Sequence, residues 1–102
     1  MQYYKKKQKY IFKLKKEITT FLKNENVKIV IFGSRARGDN YPTADIDVGI
    51  IPYGKFDNAK IALLREKIEG LNVPYKVGIV NFAEVSESFK NEALKQVIVW
   101  KD

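Results

Sequence analysis

Apolar and polar positions divide this chain into alternating helix-like and strand-like stretches. Over residues 8–24, Ile11, Leu14, Ile18 and Phe21 or Leu22 recur at helical spacing, with lysines on the remaining positions. Asn24-Glu25-Asn26 ends that helix. Val27 to Phe32 is rich in β-branched residues and predicts a central strand, and Asp45 to Ile51 predicts a second. Asp57 is placed to cap a helix over about 58–69 with an apolar stripe of Ile61, Leu64 and Ile68, and Gly70 is suited to its C-terminal end. Tyr75 to Phe82 predicts a third strand. Ser86 or Ser88 then caps a last helix whose apolar side is Phe89, Ala93, Val97 and Trp100. The crowding of β-branched and aromatic residues at Val97-Ile98-Val99-Trp100 leaves a final short strand as the alternative. Together these elements predict an α/β (α+β) domain: a small mixed sheet with helices on one face and a cleft on the other.

The connection between the first two strands carries the candidate chemistry. It reads Gly33-Ser34-Arg35-Ala36-Arg37-Gly38-Asp39-Asn40-Tyr41-Pro42-Thr43-Ala44-Asp45-Ile46-Asp47. Gly33 permits a tight turn and close approach of backbone to a ligand. Ser34 falls at a predicted helix start, where free N–H groups suit a phosphate. Arg35 and Arg37 are forked donors matched to phosphate oxygens. Asp45 and Asp47 stand two apart on a strand, so both carboxylates leave the same face. Two acids pointing into one space repel unless a cation lies between them. Mg²⁺ takes carboxylate oxygens and leaves positions for triphosphate oxygens. Gly49, next in that row, is expected to leave room for substrate.

Gly33-Ser34, ten intervening residues and then Asp45-x-Asp47 resembles the signature of the DNA polymerase β-type nucleotidyltransferase superfamily. The wording Gly-Ser-Arg-Ala-Arg-Gly and the short chain are similar to its minimal nucleotidyltransferase branch, the MntA-like antitoxins of HEPN toxin–antitoxin pairs. The resemblance runs from Val27 to about Phe82. It implies a nucleotidyltransferase fold with ATP as substrate and Mg²⁺ as cofactor. Asp45 and Asp47 would be the catalytic, metal-holding acids, and Gly33, Ser34, Arg35 and Arg37 the nucleotide-binding residues. It also implies a protein acceptor, a tyrosine hydroxyl of a HEPN toxin that is adenylylated and silenced, and with it a hetero-oligomer.

Two positions depart from that pattern. The family usually carries a third carboxylate on the strand after the second long helix, and the matching position here is Gly78. The alternation Val77, Gly78, Ile79 turns Gly78 toward the cleft. A serine often precedes the acid pair, and here Ala44 stands there. The alternative to an adenylyltransferase is therefore a weakly active, nucleotide-binding antitoxin that neutralises its partner by association.

Composition narrows the field. With no cysteine and no histidine in 102 residues, thiolate and imidazole chemistry are excluded. No apolar run is long enough to cross a bilayer, and the start lacks a secretory pattern, so the expected compartment is the cytoplasm. The expected organisation is one nucleotidyltransferase domain: a basic N-terminal helix to residue 26, the core over 27–82 and a C-terminal helix over 83–102. The net charge is +7. Residues 1–28 hold nine lysines against Glu17 and Glu25, whereas the remainder is balanced, with ten basic and ten acidic side chains. A nucleic-acid accessory role for the basic helix is a third reading. The neutral remainder argues against it, and nucleic acid is not the expected partner.

Overall fold

The computed structural model describes residues 2–33 and 45–102, with backbone alone for residues 2–7. Seven elements follow one another among these residues: α1 (Gln2–Phe21), β1 (Val27–Phe32), β2 (Ile46–Pro52), α2 (Ala59–Glu69), β3 (Val77–Asn81), α3 (Glu87–Ala93) and β4 (Ile98–Lys101). The strands form one sheet in the order β3-β2-β1-β4. β1 pairs antiparallel with β2 and β4, whereas β2 and β3 run parallel. The parallel pair is joined through α2, as a crossover requires.

The sheet buries both faces around β1. Val27, Ile29 and Ile31 on β1 and Ile46, Val48 and Ile50 on β2 meet the α1 residues Ile11, Leu14 and Ile18 and the α2 residues Ile61, Leu64 and Ile68. Each fully buried aliphatic side chain here contributes about 1.5–3 kcal/mol. On the opposite face Val30, Phe32 and Phe82 form a second, smaller cluster. Phe89 of α3 packs on it, with ring centroids 6.2 Å from Phe32 and 5.9 Å from Phe82. The two longer helices thus share one face, and the short α3 covers part of the other.

Local chemistry sets the element ends. Asp57 Oδ1 accepts from the Ala59 N–H at 3.0 Å, so this carboxylate caps the start of α2. Ser86 Oγ accepts from the Phe89 N–H at 3.1 Å and caps α3. Gly70 ends α2 without leaving the right-handed region, at φ −71°. The left-handed residue is Asn72 instead, at φ 55°, a conformation that asparagine tolerates.

The C-terminal segment differs from a continuous helix over 83–102. α3 stops at Ala93, and Ile98–Lys101 extends along β1, as its β-branched and aromatic content favours. Lys101 Nζ donates to the carbonyls of Glu25 (3.1 Å) and Val27 (3.0 Å), tying the end of β4 to the turn before β1. Tyr10 of α1 meets the ring of Tyr75 edge-on at 6.0 Å.

Candidate functional site

The site is built where β1 ends and β2 begins. β1 delivers Gly33 and β2 delivers Asp47, brought level by the antiparallel register that pairs Phe32 with Asp47. Gly33 takes φ +78°, which strains any side chain. A β-carbon there would also fall 2.6 Å from Asp47 Oδ2. The turn thus requires glycine twice over, for its backbone angle and for the carboxylate pressed against it.

The other carboxylate oxygen faces β3. The parallel register pairs Asp47 with Gly78, and a β-carbon on Gly78 would lie 3.3 Å from Asp47 Oδ1. Residue 78 therefore points to the same side of the sheet as Asp47. Its flanking residues turn the other way: Ile79 is buried in the main core and Val77 packs against it. The position matched to the family's third acid lies beside Asp47 and carries no side chain.

Asp47 is half-buried between the two glycines, while Asp45, just before β2, is exposed. Burial raises the Asp47 pKa above the usual carboxylate value, and the neighbouring charge of Asp45 raises it further. Both causes act against the anion, and a bound dication would oppose both. The donor set fits Mg²⁺ in that sense: two carboxylates two residues apart at the start of β2, one of them flanked by two glycines. Among the described residues no group of three or more acids is placed to hold a metal.

Gly49 does something different from what its place in the row implied. A β-carbon there would meet the Phe82 ring at 2.1 Å and Val30 Cγ2 at 3.1 Å. Phe82 fills that space, so Gly49 accommodates the aromatic cluster and offers no room to substrate. Nothing local in the sequence marks this wedge, because Phe32, Phe82 and Phe89 are brought together only by the fold. Asn81 faces away from Asp47's side. Its Nδ2 donates to Asn58 Oδ1 at 3.1 Å, and its Oδ1 accepts from the Ala83 N–H at 2.9 Å. Ser34, Arg35 and Arg37, together with Ala44, lie outside the described residues.

This arrangement can be set against known proteins. Residues 4–102 match the family model described as polymerase beta, nucleotidyltransferase. A search of curated protein sequences finds no match. Among solved structures, the chain is similar to one in a toxin–antitoxin complex crystallised with AMP-PNP, at 21% identity and TM-score 0.64, covering 84% of this chain and 71% of the other. It is also similar to a chain of a mutant MntA–HpeT toxin–antitoxin complex, at 19% identity and TM-score 0.63, with coverage of 84% and 71%. A third similar chain belongs to a complex of tri-AMPylated Shewanella oneidensis HEPN toxin with MNT antitoxin, at 20% identity, TM-score 0.59 and coverage of 85% and 68%. At these identities the structural likeness speaks for the fold. The family match spans nearly the whole chain and includes Gly33, Asp45, Asp47 and Gly78, and on that ground the chain belongs to the polymerase beta nucleotidyltransferase family.

Proposed function

We propose that this protein transfers AMP from ATP to a hydroxyl of a partner protein, a tyrosine of a HEPN toxin, and acts as its antitoxin. The observation that carries the reading is Asp47, held between the Gly33 turn and β3 with Asp45 two residues before it. Similar folds occur in one complex crystallised with AMP-PNP and in another whose toxin is AMPylated, which supports both the nucleotide and the acceptor class.

In this reading Asp45 and Asp47 hold Mg²⁺, which when bound supplies the positive charge that offsets the acids and the triphosphate. Gly33 and Ser34 offer backbone N–H groups to the β- and γ-phosphates. Arg35 and Arg37 offer guanidinium donors to the phosphate oxygens. The acceptor oxygen forms a bond to the α-phosphorus, the bond to pyrophosphate breaks, and the hydroxyl proton passes to solvent. The whole chain serves as one nucleotidyltransferase domain working in the cytoplasm. No helix among the described residues is long and apolar enough to cross a membrane.

A second reading is favoured by Gly78. With no carboxylate beside Asp47 Oδ1 on β3, the protein binds nucleotide, turns over slowly and restrains its partner by association. Loss of a positioned base costs about 10²–10⁴-fold in rate. Incubation of the HEPN partner with this protein, ATP and Mg²⁺, followed by intact mass measurement, separates the two. AMP increments on the partner support transfer. Full inhibition of the partner with no increment, unchanged by Asp45→Asn with Asp47→Asn, would falsify transfer in favour of association.

A further inference from the structure

Phe12 lies on the exposed side of the amphipathic helix α1 and is 70% exposed. It stands at one wall of a groove of about 230 Å³ between α1 and β4. Ile98 and Trp100 form the opposite wall, and Ile11 and Ile31 reach its floor. Ile98 is itself 47% exposed. β4 is an edge of the sheet as described, with β1 on one side only. Phe12, Ile98 and Trp100 thus form contiguous apolar surface at an unpaired sheet edge, a feature of interaction surfaces.

The charged residue among those described that line this groove is Lys15. Lys9, Lys15 and Lys16 stand three before, three after and four after Phe12, so they are its neighbours on the helix surface, and all three are exposed. Among the described residues no carboxylate lines the groove. A second copy of this chain would bring a like-charged helix against these lysines, so self-association is disfavoured. An acidic partner with apolar side chains satisfies both the lysines and the groove.

The groove is also placed for delivery to the acid pair. Ile31 pairs with Ile98 on one side of β1, and the next residue, Phe32, pairs with Asp47 on the other. The groove and Asp47 thus flank the same end of β1, two strand spacings or about 10 Å apart in the sheet, and on opposite faces. A partner anchored at Phe12 would keep a tethered segment at high effective concentration around the sheet end that carries Asp47.

We infer that the groove between Phe12 and Ile98–Trp100 is the docking surface for an acidic, apolar-centred segment of the protein partner. The inference rests on the reading that such a partner exists. It is tested by titrating the HEPN partner against the wild-type chain, Phe12→Asp and Lys15→Glu, with ATP·Mg²⁺ binding measured in parallel. Phe12 takes no part in the core, so Phe12→Asp is expected to fold and to bind nucleotide like the wild type. Its partner affinity is expected to fall tenfold or more, the usual loss at an aromatic anchor. Lys15→Glu is expected to lower the affinity less and to flatten its salt dependence. Equal partner affinity in all three chains would overturn the docking site while leaving adenylyl transfer standing. A wild-type chain that does not bind the partner would overturn both. Concentration-dependent dimerisation lost in Phe12→Asp would assign the groove to a second copy and overturn the inference.

Discussion

Asp47 Oδ1 lies 3.3 Å from the point where a side chain on Gly78 would begin. An acid at residue 78 would stand beside Asp47 on the same side of the sheet, across one parallel strand pairing. Gly78→Asp is therefore expected to speed AMP transfer by about 10²-fold or more if a missing carboxylate limits it. The contact is tight but falls on a side-chain oxygen that can shift by a few tenths of an ångström. Gly78→Ala, which adds bulk without charge, is expected to leave the rate within a few-fold of the wild type. Single-turnover kinetics on the two variants separate charge from space.

Asp47 itself bears on stability with a definite sign. Its folded-state pKa is raised, by burial first and by Asp45 second. Its protonated form is thus favoured by folding: the associated stability is present below the unfolded carboxylate value and is lost as pH rises through the higher folded value. At neutral pH Asp47 opposes folding. Asp47→Asn is expected to melt at a higher temperature than wild type at pH 7, with the gap closing on acidification. Added Mg²⁺ is expected to raise the melting temperature of the wild type and not that of the variant.

Gly33 combines a left-handed backbone with a carboxylate at its back. Gly33→Ala is expected to cost about 1–3 kcal/mol from backbone strain and to displace Asp47. Chemical denaturation measures the first effect. The expected loss of ATP·Mg²⁺ binding beyond what the stability change explains measures the second.

Gly49→Ala is expected to destabilise the fold by about 1–3 kcal/mol, because the Phe82 ring occupies the space that the methyl needs. Shortening the ring in a Gly49→Ala/Phe82→Leu double variant is expected to recover part of that loss. Strictly additive losses would show that the two positions do not compete for one space.

Much of this fold was legible because burial follows simple periods. The α1 stripe of Ile11, Leu14 and Ile18 and the α2 stripe of Ile61, Leu64 and Ile68 are buried where their spacing predicts. β1 occupies the predicted Val27–Phe32 and is paired on both sides. Alternation along β2 and β3 was enough to turn Asp47 and Gly78 to a common side. What could not be read depends on long-range placement. The ring over Gly49 comes from Phe82, beyond the end of another strand. The end of α2 depends on how Asn72 and Gly70 share the turn. Strand formation at Ile98–Lys101 was open because the same residues also fit the apolar side of a helix, and pairing with β1 decides it.

In the proposed site, Asp45 and Asp47 hold a metal-bound nucleotide beside the Gly33 turn. Calorimetric titration of ATP, with and without Mg²⁺, into the wild type and Asp47→Asn tests it most directly. Binding is expected to require Mg²⁺ and to fall at least tenfold in the variant. ATP binding of equal strength in both chains, indifferent to Mg²⁺, would contradict it.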